Sequence, residues 1–383
     1  MKHWKERIIR AYFHIVRMVL GINKKKVVFI SFGGKSYSDN PRAISEALAT
    51  EKTEAEIVWL FINPTDKKCI VSDGIRCVDV SRPWRVRKEI ATASVYVNNF
   101  ALSNLPKSNK QLFIQTWHGD KAFKKVLHDE QGWPPDKVLG EQIPGMCDYA
   151  IAGSDYGERQ YRSAFLYKGN VLKCGMPRND RLILQDEQEK ERIRKKLNCS
   201  QETQLLLYAP TLRREEAQKK VALEIKQLDI TKTLTMLEER DHCKWICLMR
   251  AHPKMVGLSY QGEDERIVDV SEYEDMGDLL LISDMLITDY SSCAGDFALT
   301  GRPVVLFHAD RQEYLKDRSF YFDMDESPYY IAESQEELEA ILSGLTQEKA
   351  KQNCKEILKF YGDCETGHAS ETVAKIIKDW IER

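Results

Sequence analysis

Little in this chain calls for a metal, a disulfide or a nucleic acid. Its 10 cysteines form no CxxC pair and no regular ligand spacing, so neither a zinc site nor a disulfide framework is indicated, and they read as reduced, cytoplasmic thiols. There is no GxxxxGK(S/T), no HExxH, and no DxD between the predicted strands, which removes the P-loop, the zinc proteases and the common metal-dependent sugar transferases. An excess of one charge is missing too. With 57 Lys and Arg against 59 Asp and Glu, the formal net charge is -2, and nucleic acid is not an expected partner. No uncharged apolar run reaches the roughly 18 residues of a membrane span, and no small-residue cleavage site follows the amino terminus. The chain is therefore expected neither to cross a bilayer nor to be exported.

What is present is a globular balance, with 43% hydrophobic and 30% charged residues. A length of 383 residues is too long for one ordinary core and predicts two α/β domains with a cleft between them. Residues 1–26 are read apart, as an amphipathic membrane-associating helix. Trp4, Ile8, Ala11, Tyr12, Ile15, Met18 and Val19 recur at helical spacing, Lys2, Lys5, Arg10 and Arg17 fall largely elsewhere, and Lys24, Lys25 and Lys26 follow. Such a helix lies in the headgroup layer of an anionic membrane, or packs its stripe on the protein's own core.

From Val27 onward apolar runs alternate with helix-length spacers: 27–31, 56–62, 94–99, 112–117, 149–154 and 171–176, then 205–211, 244–253, 266–271, 285–290 and 304–308. Runs apolar throughout indicate parallel strands covered on both faces. Residues 27–185 are read as an amino-terminal Rossmann-like domain and 186–360 as a second. The terminal helix, 361–383, is expected to return to the first. Two doubly wound halves facing a cleft define the GT-B architecture.

The chemistry concentrates where strands run out. In MLITDYSSCAGDFALTGRP, 285–303, a buried strand meets a helix through Asp289, Ser291 and Ser292, with one serine as the N-cap. Free N-H groups of a first helical turn, with serine hydroxyls beside them, suit a diphosphate; a well-capped turn with no ligand is the alternative. QTWHGDKAFKK, 115–125, places His118 before Gly119, followed by three lysines, and a neutral imidazole there is a candidate general base. LMRAHPK, 248–254, puts Arg250 and His252 two residues apart, so both can point the same way toward a leaving phosphate. YAPTLRR, 208–214, offers Thr211, Arg213 and Arg214 to an anion. In GMPRNDRL, 175–182, Arg178, Asn179 and Asp180 are hinge or cleft residues, or a simple turn. Arg302 either pairs with diphosphate or satisfies a helix C-terminus, and His308 and Asp310 are weaker candidates.

QTWHG, YAPT, RAHP and above all LITDYSS followed by DFALTGRPV, in this order and spacing, resemble the CDP-glycerol glycerophosphotransferase family of teichoic acid and capsule synthesis. The resemblance runs from about Val27 to Asp310. It implies a GT-B fold and transfer of a polyol phosphate, glycerol phosphate first, from CDP-glycerol or CDP-ribitol. The acceptor would be a hydroxyl on an undecaprenyl-diphosphate-linked glycan, the product CMP, and the place the cytoplasmic face of the membrane, held peripherally. By that resemblance His118 and His252 carry catalysis and Arg250, Ser291 and Ser292 hold the donor diphosphate, with Asp289 ordering the turn; the strand-exit and helix-end readings add Asp289, Arg213 and Arg302 to the diphosphate group. Gly119, Lys121 and Lys124 fall on the acceptor side. No cofactor and no metal is expected, since arginine, histidine and helix N-H groups can stabilise the charge. The chain departs from the family pattern at Asp120 and Lys121, where HGT and Pro-Leu-Lys are usual, and at Gly295, where an aromatic commonly precedes the aspartate, here Asp296. Two other readings remain: a GT-B glycosyltransferase using a nucleotide sugar, and a non-catalytic scaffold that binds CDP-polyol at the membrane. The donor polyol, primase against polymerase action, and self-association are open at this stage.

Overall fold

The computed structural model describes every residue except 1, 68–70, 72–73, 101–104, 131–146, 212–227, 252–263 and 318. It divides into two compact units. The first holds residues 1–120, 126–180 and 364–383; the second holds 121–125 and 181–363. The boundary thus falls at 180/181, the last twenty residues count with the first unit, and a five-residue strap after His118 counts with the second.

The first unit is built on seven parallel strands: β1 (Asn23–Ile30), β2 (Glu56–Phe61), β3 (Arg76–Asp79), β4 (Ala93–Asn98), β5 (Leu112–Gln115), β6 (Tyr149–Ala152) and β7 (Asn170–Lys173). Their order is β3-β2-β1-β4-β5-β6-β7, so the chain reverses its direction of growth between β1 and β4. Alternating residues explain why the runs are apolar throughout. Val27, Phe29, Trp59, Val95 and Val97 pack on one face with Val373 and Ile377 of the terminal helix Ala369–Ile381. Val28, Val58, Leu60, Tyr96 and Phe113 pack on the other, against Phe13 and Val16 of the helix Lys2–Leu20. Both faces exclude water, as a parallel sheet requires.

That first helix resolves into two faces. Phe13 and Val16 enter the core, and Arg17 crosses to the carbonyl of Ala91 and to Gln111 Oε1 at 2.6 Å. The stripe read from the sequence stays largely outside: Trp4 is 70% exposed, Met18 71% and Val19 71%. Among the described residues, no helix is long and apolar enough to cross a membrane.

The second unit repeats the plan with six parallel strands: β8 (Gln204–Ala209), β9 (Trp245–Met249), β10 (Ile267–Asp269), β11 (Met285–Thr288), β12 (Val304–Phe307) and β13 (Tyr330–Ala332). The order β10-β9-β8-β11-β12-β13 puts its reversal between β8 and β11. Leu206, Tyr208, Ile287, Val305 and Phe307 meet Leu234 and Leu237 of the helix Ile230–Asp241 and Leu338 and Leu342 of the helix Gln335–Gly344. β3 and β13 are absent from the sequence reading because they are short edge strands, of four and three residues, mostly half-buried.

Candidate functional site

In the first unit three strand exits converge at the reversal point. Asn99, just past β4, holds two of them: its side-chain NH2 donates to Ser31 Oγ at 3.1 Å, and its side-chain oxygen accepts the Phe32 N-H at 2.8 Å. Its main-chain carbonyl lies 2.8 Å from His118 Nδ1. A carbonyl only accepts, so Nδ1 carries the proton and Nε2 keeps its lone pair. Phe32, Phe100 and Trp117 surround the imidazole at centroid distances of 5.3, 5.8 and 4.2 Å. Burial among these rings lowers the His118 pKa below the ordinary histidine value of 6.5, and the Asn99 carbonyl only partly opposes it. The imidazole is therefore neutral at neutral pH.

The backbone here is held in uncommon conformations. Phe32 has φ 45° and Trp117 φ 52°, both left-handed and rare for aromatic residues. Asn40 fixes the second by donating to the Trp117 carbonyl at 3.1 Å, and its side-chain oxygen accepts the Arg178 N-H. Arg178 pairs with Asp39 at 3.3 Å, and both act on the charge of His118. Past the buried Gly119, Asp120 accepts from Gly153 N at 2.9 Å and Ser154 Oγ at 2.7 Å. Asn179 donates to Glu365, and Asp180 accepts from Ala369 N and Ser370 N at the start of the terminal helix. Of the PRND motif, Arg178 alone approaches the histidine.

In the second unit the exits of β8 and β11 are joined by Asp289, whose two carboxylate oxygens accept the Thr211 N-H at 2.9 and 3.0 Å. His308, stacked on Tyr290 at 4.3 Å, supports the same turn through Nε2 at 3.2 Å from the Asp289 carbonyl. Ser292 occupies the N-cap position of the one-turn helix Cys293–Phe297, but its hydroxyl makes no cap hydrogen bond, and Ser291 Oγ only weakly accepts the Cys293 N-H at 3.4 Å. The expected serine cap is thus loose, because Ser292 already has helical dihedrals.

Arg250 leaves β9 into this region. Burial lowers its pKa, Asp275 and Cys293 oppose that shift, and its Nη1 is buried with no hydrogen-bond partner among the described residues. Leaving such a donor unmatched costs on the order of 1–3 kcal/mol, more when charged, so it marks a place built for an acceptor.

Other expected residues are placed differently. Arg302 donates to the carbonyls of Leu281 and Ser283 at 2.8 and 2.6 Å and to Gln185 at 2.9 Å. It closes the C-terminus of the helix Met276–Ile282, the second of its two readings, and its Nη donors are committed there, not to a diphosphate. Lys121, assigned to the acceptor side, is 0% exposed inside the second unit and pairs with Asp363 at 3.0 Å. Lys124 is bridged to Phe320, with its ammonium 5.4 Å from the Tyr314 ring centre, also in the second unit. Asp323-Met324-Asp325 is a DxD that precedes the unforeseen β13, and Arg311 binds its Asp325 at 2.6 Å. His252, Arg213 and Arg214 lie outside the described residues.

The profile of the CDP-glycerol:poly(glycerophosphate) glycerophosphotransferases matches residues 11–379. The chain belongs to that family. A teichoic acid glycerol-phosphate transferase of Staphylococcus aureus is 30% identical over 375 residues, covering 93% of each chain. A teichoic acid poly(glycerol phosphate) polymerase of Staphylococcus epidermidis is 29% identical over 96% of this chain, which spans 52% of that longer protein. Among solved structures, the wall teichoic acid polymerase TagF superposes with TM-score 0.83 at 28% identity, covering 100% of this chain and 96% of that one. A histidine-to-asparagine variant of TagF soaked with CDPG gives 0.80 at 27% identity, with the same coverage of 100% and 96%. For the glycerophosphotransferase family, then, this chain is an α/β member with two parallel sheets.

Proposed function

We propose that this glycerophosphotransferase-family member moves a polyol phosphate, glycerol phosphate first, from a CDP-polyol to a hydroxyl of a lipid-linked acceptor in teichoic acid or related polymer synthesis. The observation that carries the reading is the state of His118: neutral, with Nδ1 tied to the Asn99 carbonyl and Nε2 left as a base. Nε2 takes the proton of the acceptor hydroxyl, whose oxygen attacks the phosphorus bearing the polyol. The new O-P bond forms as the bridging P-O bond to CMP breaks, and CMP leaves with the bridging oxygen.

The unmatched Arg250 donor supports the placement of the diphosphate in the second unit, with Ser291, Ser292 and the turn held by Asp289. His252 joins them by the family motif, and Arg213 by its place in the sequence after the β8 strand. These groups compensate the charge of the departing CMP without a metal ion. A lipid-borne acceptor implies work at a membrane surface, and the exposed Trp4, Ile15, Met18 and Val19, with Trp84 beside Tyr12 at 4.8 Å, support a peripheral hold on the cytoplasmic face.

The deciding experiment incubates the protein with a synthetic lipid-linked acceptor and a panel of CDP-glycerol, CDP-ribitol and UDP-sugars, with products read by mass spectrometry. Growth of the acceptor by one or more polyol phosphates, with equimolar CMP, is the expected result. Transfer of a sugar, or donor binding with no released nucleotide, overturns the proposal.

A further inference from the structure

Two of the places where the sequence departs from the family pattern, Lys121 and Gly295, pack against each other. A Cβ built on Gly295 would stand 2.7 Å from both Cβ and Cδ of Lys121, so the lysine stem occupies the space over the second turn position of the helix Cys293–Phe297. The ammonium end is completely buried and pairs with Asp363 at 3.0 Å. A buried lysine without good packing and a partner would be strongly unfavourable, so this placement is sharply specified. The rest of the strap is fixed to the same unit. Lys125 N donates to the Ser319 carbonyl, Tyr321 N to that of Phe123, and the Phe123 ring meets Phe322 at 5.7 Å and Tyr329 at 5.3 Å. Just before the strap in the chain, Asp120 is clamped by Gly153 and Ser154, and Gly157 must be glycine because a Cβ there would lie 1.8 Å from Asp120 Oδ1. His118 stands two residues before this clamp and three before Lys121.

We infer that Lys121 is a positioning residue: clasped by Asp363 and laid on Gly295, it fixes the strap that follows His118 in the chain onto the helix following Ser291 and Ser292. Donor held at that helix steadies Gly295, and Gly295 steadies the strap. Donor binding is thereby passed to the strap that follows the general base. This rests on the proposed polyol-phosphate transfer, and it assigns a role to a lysine that otherwise reads as a core residue.

The test compares the full chain with Lys121→Met, which keeps the stem and removes the charge, and Asp363→Asn, which keeps the lysine and loosens its hold. The first measurement is CMP release from CDP-glycerol with the lipid acceptor, per folded molecule. The second is hydrogen exchange of peptides spanning 115–126 and 286–297, with and without CDP-glycerol. In the parent, donor is expected to slow exchange in both peptides. In each variant kcat should fall at least tenfold with the donor KM within twofold, and protection of 115–126 should vanish while that of 286–297 persists. Unchanged kcat, or protection of 115–126 that survives, makes Lys121 structural only and overturns the inference. If Lys121→Met does not fold, Asp363→Asn gives the same reading. A parent that neither releases CMP nor gains protection at 286–297 defeats the proposed function instead.

Discussion

The turn at His118 follows β5, one strand past the reversal of its sheet, and the turn at Asp289 follows β11, which borders the reversal of the other; both are strand exits, yet they use burial in opposite ways. Around His118 the wall is aromatic, and desolvation makes a weak base available by keeping the ring uncharged. At the other turn Asp289 is tied to the Thr211 N-H, and burial leaves the Arg250 guanidinium with a donor unmatched among the described residues. The same low-dielectric setting thus prepares a proton acceptor in one unit and an anion acceptor in the other. Substitutions that break one turn should leave the other intact, which makes the contrast testable.

The largest effect belongs to His118→Ala. Loss of the base should lower kcat by about 10²–10⁴, while calorimetric titration with CDP-glycerol gives the parent affinity. Arg250→Met should do the converse, weakening donor binding by about tenfold to a hundredfold. Because it removes an unmatched buried donor, it should not lower the melting temperature of the free protein, and differential scanning calorimetry checks that sign. A smaller effect is expected from the aromatic residues around His118. The acid limb of kcat/KM should fall as His118 is protonated, with its midpoint below 6.5, and Phe100→Ala, which opens the ring to water, should move that midpoint up toward 6.5.

The smallest catalytic effect is expected at a residue that belongs to neither turn. Burial alone would raise the Glu89 pKa, but hydrogen bonds from Arg76 and Lys26 outweigh it and hold the carboxyl at about 2, against 4.5 ordinarily. A depressed folded pKa stabilises the protein above the unfolded value, and that stability is lost as pH falls from 4.5 toward 2. Glu89→Gln should therefore lower unfolding free energy at pH 7 by on the order of 2 kcal/mol, flatten its acid dependence, and leave kcat unchanged. Urea unfolding at several pH values reads both.

Much of this architecture was legible because a parallel sheet buries both faces, so β1, β4, β8 and β11 appear as apolar runs with no alternation to misread. β3 and β13 were not, since short edge strands carry neither length nor full burial. His118 and Asp289 could be found because polar residues closing a buried strand have few other reasons to be there. Asn99 and Asp39 could not, because one acts through its main-chain carbonyl and the other through a fold-dependent approach. Cations were hardest to place. Arg302 is read from sequence as a diphosphate ligand or a helix-end group and Lys121 as an acceptor-side charge; one satisfies helix carbonyls and the other is buried against an aspartate, and only tertiary packing distinguishes these fates.

The proposed transfer requires the second unit's strand ends to hold the donor's diphosphate. A crystal structure of the protein soaked with CDP-glycerol tests it most directly. The prediction is a diphosphate oxygen within hydrogen-bond distance of Arg250 Nη1, with Ser291 or Ser292 on the same group. Clear nucleotide density elsewhere, with that arginine donor still unmatched, would contradict it.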